Sequence, residues 1–258
     1  MSADRFLELH RPGQPLLMPN PWDAGSARLL ASLGFEALAT TSSGYAATLG
    51  RLDYSVTRDE ALGGAAVIAR AVDVPVSADL ENCFEDPEET VRLAIEAGLA
   101  GCSIEDFSGD RDDPIFPLDV AFERVAAAVG AASSDLVVTA RAENYLYGRK
   151  DLDDTIARLR AYQDAGAHVL YAPGVKDAGE IRRLVEAVDR PVNVLALPGL
   201  PPVAELAALG VSRISVGGAF AFAALGATVQ VAQELREQGT YGYSELSAEG
   251  LRAAREAF

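Results

Sequence analysis

Residues Val74–Asp106 read VPVSADLENCFEDPEETVRLAIEAGLAGCSIED, and this stretch decides the fold. VPVSADL is a short, almost continuous apolar run, as a strand covered on both faces requires. DPEETVRLAIEAGLA is amphipathic, opens on acidic residues that suit a helix N-terminus, and closes on a glycine that suits a C-cap. GCSIED then starts a second apolar run. The unit is strand, helix, strand, and it implies parallel pairing through a crossover.

The same rhythm runs through the chain. Further strands are expected at Leu16–Asn20, Ala37–Ser42, Leu136–Glu143, His168–Gly174, Pro191–Leu197 and Arg213–Gly218, which with Val74–Leu80 and Gly101–Asp106 makes eight. Eight strand–helix units predict an α/β fold, a closed (β/α)8 TIM barrel, with a doubly wound open sheet as the alternative. No linker divides the chain, so residues 1–258 are expected to form a single barrel domain. Residues 244–258, SELSAEGLRAAREAF, read as an extra C-terminal helix capped by Ser244 or Ser247.

With 258 residues, 49% hydrophobic and 23% charged, the chain has globular usage and enough length for one large core. Its net charge of -16 repels phosphate backbones and anionic headgroups, so no nucleic-acid or membrane partner is expected. Two cysteines without CxxC spacing, and an N-terminal stretch lacking a long apolar run, fit a cytoplasmic protein.

In a barrel, residues at C-terminal strand ends face the catalytic mouth. Asn20, Asp23, Ser42, Ser43, Gly44, Asp79, Glu81, Asn82, Glu105, Asp106, Arg141, Glu143, Asn144, Tyr171 and Asn193 fall there. So many carboxylates repel one another unless a cation joins them. Oxygen ligands favour Mg²⁺, or Mn²⁺, over zinc, and Asp79, Glu81 and Glu105 are the metal candidates. His168 falls at a strand start and His10 in the N-terminal arm, neither placed to ligate. The only lysines, Lys150 and Lys176, fall in loops, which argues against imine chemistry. Gly217–Gly218, in SVGGAF, reads either as a phosphate seat or as a tight turn. Ser42, Ser43 and Gly44 can seat an anion, and Arg141 can grip a carboxylate or neutralise Glu143. A metal seat beside an anion seat suits a small 2-oxo or 2-hydroxy acid, whose polarised keto group would stabilise an enolate.

The motifs MPNPWDAGSARLLASLGFEALATTSSGYAATLG, VSADLENCF, CSIEDF and VTARAENYL, in this order, resemble the isocitrate lyase/phosphoenolpyruvate mutase superfamily over nearly the whole chain. The resemblance implies a (β/α)8 barrel with Mg²⁺, pyruvate-enolate chemistry, and a C-terminal helix exchanged within a homodimer or homotetramer. It implies that Asp79 binds the metal directly while Asp53, Glu81 and Glu105 hold its waters. It also implies that Ser42, Ser43 and Gly44 bind the substrate's carboxylate and keto group, with Arg141 completing the anion site. The lyases carry a Lys-Cys-Gly-His loop where this chain has EDFSGDRDDPIFP, and phosphonate-handling members have a histidine where strand six ends in Tyr171. Oxaloacetate decarboxylase-like chemistry is therefore expected slightly ahead of 2-methylisocitrate/isocitrate lyase-like chemistry. Phosphonopyruvate hydrolase or phosphoenolpyruvate mutase activity is the alternative, and a non-catalytic 2-oxo acid binder is the alternative of another class. Arg141, Tyr45 and Glu143 are the catalytic candidates; Cys83 and Tyr171 are further proton-donor candidates. Asn193 completes the expected substrate-binding set, and Phe107–Phe116 is a loop able to close.

Overall fold

The computed structural model describes residues 3–258, so the first two residues of the expected 1–258 domain lie outside the described residues. Eight parallel strands form one sheet: β1 (Leu16–Met18), β2 (Leu38–Ala39), β3 (Val76–Asp79), β4 (Gly101–Glu105), β5 (Val137–Arg141), β6 (Val169–Tyr171), β7 (Val192–Leu195) and β8 (Arg213–Ser215). The order β1-β8-β7-β6-β5-β4-β3-β2 is that of a barrel opened between β1 and β2. There the Ala39 N–H donates to the Pro19 carbonyl over 3.1 Å, which brings the two edges together. This is the (β/α)8 architecture, and the open-sheet alternative is set aside.

The helices are α1 (Ala3–Glu8), α2 (Ala24–Ser32), α3 (Ser42–Thr48), α4 (Arg58–Ala71), α5 (Pro87–Glu96), α6 (Leu118–Ala132), α7 (Leu152–Asp164), α8 (Ala178–Glu186), α9 (Val203–Ala208), α10 (Ala219–Gln238) and α11 (Ser244–Ala257). Local chemistry sets their ends. Asp86 caps α5 by accepting from the Glu89 N–H, with Pro87 at the first helical position, and Gly98 turns the chain out at φ 82°. Asp151 caps α7 in the same way, with Gly166 at φ 97° beyond its end. Neither expected serine caps α11. Ser244 is its first residue and Ser247 lies inside it, while Tyr243 occupies the cap without a side-chain bond.

The main core lies between the strands' outer faces and the helices, with Leu38, Ile104, Leu159 and Leu170 fully buried. A second, smaller core plugs the bottom of the barrel. Phe6 of α1 enters it against Gly101, where a Cβ would come within 2.7 Å of the Phe6 ring. The N-terminal arm is thus a stopper rather than a free extension.

The last two helices sit differently. α10 has 20 residues yet buries only Ala221, leaving Phe222, Leu225, Val229 and Leu235 exposed. α11 buries none, and it lies against α2 of the same chain, with the Phe258 ring near Gly25. Among the described residues, no helix is long and apolar enough to cross a membrane.

Candidate active site

Asp79 ends β3, and the chain then turns sharply outward. Glu81, Cys83 and Phe84 have φ of 52°, 61° and 56°, the left-handed region that side chains disfavour. The turn is tied down where the Glu105 N–H donates to the Glu81 carbonyl over 3.0 Å. Neighbouring residues in the register of parallel strands face the same side, so Glu105, Arg141 and Tyr171 point together into the barrel. Arg141 is the hub. Its Nη1 donates to Asp79 Oδ1 at 2.8 Å, Nη2 pairs with Glu105 Oε2 at 3.0 Å, and Nε pairs with Glu143 Oε1 at 2.9 Å.

Ser42 and Ser43 open α3 above this hub. The Ser42 N–H donates to Asp79 Oδ2 over 3.0 Å, and the Ser42 hydroxyl bonds Asp53. Ser43 Oγ lies 3.2 Å from Thr41 Oγ1, and Thr41 caps α3. With Asp79, Arg141, Glu143 and Asn193, these serines line a cavity of about 360 Å³ at the barrel mouth. Asp53 lines it too.

Other candidates lie elsewhere. Gly44 does not line the cavity: its N–H serves the Thr41 cap, and a Cβ there would meet Thr41 Cγ2 at 2.5 Å and Ala221 at 3.1 Å. It is a packing position. Tyr45, expected as catalytic, is also outside the cavity, because one helical step turns its ring onto Gly64 of α4. Asp106 faces the opposite side of β4 from Glu105 and is sealed among Tyr162, Arg158 and the Glu143 N–H. Asn82 donates to the Phe107 carbonyl and Asn144 to Thr155 of α7, so both tie their loops to neighbouring segments. Cys83 is a fully buried free thiol, hydrogen-bonded to the free thiol of Cys102.

Charge decides what the site can hold. Burial works against a charge on Arg141, yet Glu143, Glu105 and Asp79 hold it protonated well above the ordinary range. One guanidinium does not balance the acids. Burial, then Asp79 and Asp53, push Glu81 up to about 8, and burial with Asp79 raises Asp53 as well. Glu81 Oε1 is buried without a partner. Among the described residues, no three His, Cys, Asp or Glu side chains converge as a ready ligand set. An orphaned carboxylate oxygen amid mutually repelling acids nevertheless fits a hard cation bound through few direct ligands and several waters.

A family model described as phosphoenolpyruvate phosphomutase matches residues 6–236. The chain belongs to the phosphoenolpyruvate phosphomutase family. Within that family's superfamily, it is 56% identical to a provisionally assigned lyase/mutase from Burkholderia cenocepacia J2315, over 95% of this chain and 91% of that one, with a TM-score of 0.90. It is 32% identical to an oxaloacetate decarboxylase of Chromohalobacter salexigens, covering 89% of this chain and 83% of that protein. It is 25% identical to oxaloacetate acetylhydrolase, solved in complex with the product oxalate, over 98% of this chain and 93% of that one, with a TM-score of 0.87.

Two further features complete the mouth of this family member, the first of them not foreseen from sequence. Tyr54, at φ 59°, reaches over the cavity and donates to Glu105 Oε1 at 2.6 Å; Tyr147 donates to it in turn, at 3.3 Å, and stacks on Phe107. This aromatic group comes from loops, where no periodicity points to it. The other feature is Gly217–Gly218. Asn20 Oδ1 accepts from both Val216 and Gly217 N–H groups at 2.9 Å, so those amides are already used within the fold. Gly217 has φ 56°, and a Cβ on Gly218 would meet Ser43 Oγ at 2.6 Å, which makes the pair a tight turn under the serines.

Proposed function

We propose that this protein is a Mg²⁺-dependent enzyme acting on a small 2-oxo or 2-hydroxy carboxylic acid, by decarboxylation or carbon–carbon lysis. The observation that carries the reading is the Asp79–Arg141–Glu105–Glu143 cluster beneath Ser42 and Ser43. Asp79 would bind the cation, with Asp53, Glu81 and Glu105 around its waters; Mn²⁺ suits the same oxygens. What such a cation supplies is positive charge at the keto oxygen of a chelating acid.

The chain's own residues do the rest. The Ser42 and Ser43 hydroxyls can donate to the substrate carboxylate. Arg141 fixes three acids in place and so presets the field in which negative charge develops. Cleavage of the bond to the departing carboxylate leaves its electron pair on carbon, conjugated with the keto group, and a proton must then reach that carbon. Glu143 is placed to hold that proton: burial raises it above the ordinary carboxylate range despite Arg141, and its buried Oε2 has no partner.

The family's descriptor gives phosphonate chemistry as the second reading. Against it, strand six ends in Tyr171, and the turn amides after β8 are taken by Asn20. Following oxaloacetate by NMR tests both steps of the reading. Pyruvate and CO₂, or acetate and oxalate, formed with Mg²⁺ well above the protein-free rate is the expected result. No metal-dependent turnover of oxaloacetate or other 2-oxo and 2-hydroxy acids would contradict it, and turnover of phosphonopyruvate instead would favour the second reading.

Self-association belongs to the same proposal. The open apolar face of α10 and α11, which buries no residue fully, suit contact with a second copy, as in the exchanged-helix dimer or tetramer that the sequence led us to expect. Light scattering should give a multiple of the chain mass, falling when residues 244–258 are removed. An unchanged mass would rule out the exchanged helix.

A further inference from the structure

Arg213 is a buried cation that the reading above does not use. It opens β8, is 3% exposed, and lines the same cavity as Ser42 and Asp79. The sheet register explains how a residue at a strand start comes to share a site with residues at strand ends. Glu105 pairs with Arg141, Arg141 with Tyr171, Tyr171 with Asn193, and Asn193 with Arg213, so one inward-facing row runs across five strands. The row carries a guanidinium at Arg141 and another at Arg213. Their surroundings are opposite.

Arg141 is paired with three carboxylates, whereas no ion pair among the described residues involves Arg213. Its Nη1 makes hydrogen bonds of 3.1 Å to His10 Nε2 and 3.2 Å to Thr139 Oγ1, both uncharged partners. His10 cannot balance the charge. Its Nδ1 lies 3.0 Å from the Phe6 carbonyl, which needs a donor, so Nε2 is left as the acceptor that Arg213 requires. Burial, then Arg213 itself, keep that imidazole neutral down to about 3. Arg213 Nε, a donor, has no partner. A guanidinium taken out of water without a counter-charge is costly, and its two neutral hydrogen bonds do not supply the missing charge. An anionic ligand would.

We propose that Arg213 forms a second anion subsite that takes the distal carboxylate of a dicarboxylic acid whose chelating end lies at Asp79 and Ser42. The inference rests on the proposed function and narrows its substrate class to four-carbon or similar diacids. Arg213 is the specificity residue in this account. Oxalate, which has only the chelating end, should not sense it, whereas malate, which adds a distal carboxylate, should.

The test is calorimetric titration of oxalate and of malate into the full-length protein with Mg²⁺, comparing wild type with Arg213→Met and Arg213→Lys. Expected for Arg213→Met is oxalate affinity within about twofold of wild type and malate affinity lower by roughly 30-fold or more. Arg213→Lys should recover part of the loss, since it restores the charge but not the planar fork. Thermal unfolding without ligand separates a binding role from a structural one: Arg213→Met should melt no lower than wild type, because it removes an uncompensated buried charge. Malate affinity falling no more than oxalate affinity, or a ligand-free variant that is much less stable, would overturn the subsite alone. Failure of the wild type to bind oxalate with Mg²⁺ would overturn the functional reading and the subsite with it.

Discussion

Arg141→Ala is expected to lower stability by about 3–5 kcal/mol and turnover by on the order of 10³-fold. The stability loss follows from what remains behind. Glu105 and Glu143 have side chains only 1% exposed, and each loses its cation, as does Asp79. Breaking a buried pair from one side strands the other charge, and here one truncation strands three. At roughly 2–4 °C per kcal/mol for a chain of this size, the melting temperature should fall by about 10 °C. Arg141→Lys should rescue little, because one ammonium cannot present three donors in the directions of Asp79, Glu105 and Glu143. Thermal unfolding and an oxaloacetate assay check the two effects separately. A variant that melts with the wild type would show that the three acids do not depend on Arg141.

Asp106→Ala should cost a similar ~3–5 kcal/mol, through a different part of the molecule. Asp106 is 2% exposed and accepts from the Tyr162 hydroxyl at 2.5 Å, from Arg158 Nη1 at 3.1 Å and from the Glu143 N–H at 2.8 Å. Its loss leaves a buried phenol and a backbone donor unpaired and removes one of the two carboxylates on Arg158 of α7, which keeps Asp154. Asp106 does not line the cavity, so folded Asp106→Ala protein should bind oxalate with Mg²⁺ far more nearly like wild type than Arg141→Ala does. Chemical denaturation and calorimetry together check this. A stable variant with ruined binding would reverse the assignment and return Asp106 to the mouth.

The contrast between Glu105 and Asp106 shows what the sequence could and could not convey. The eight expected strands contain the eight observed ones, because buried parallel strands leave long apolar runs that turn residues punctuate. Strand ends then brought Asp79, Glu105 and Arg141 to one place, which the register confirms for the latter two. Adjacent residues in a strand face opposite sides, however, and which of Glu105 and Asp106 looks inward depends on a register that composition does not encode. Tyr45 lies outside the cavity for a related reason: Ala37–Ser42 reads as one strand, but the strand ends at Ala39 and Ser42 opens α3, so helical geometry carries the tyrosine ring onto α4. Tyr54 and Tyr147 enter from irregular loops without a periodic signal. Arg213 sits at a strand start, which by position alone belongs to the barrel's stabilising end, and only its side chain and the row from Glu105 tie it to the cavity.

The central claim is that Asp79 anchors a hard cation against which a small 2-oxo acid chelates. Titrating oxalate into metal-free protein with and without Mg²⁺, for wild type and Asp79→Ala, tests it most directly. The account predicts binding by wild type only when Mg²⁺ is present, and loss of that binding in Asp79→Ala while the variant remains folded by circular dichroism. Oxalate binding that ignores Mg²⁺, or that survives in Asp79→Ala, would contradict it.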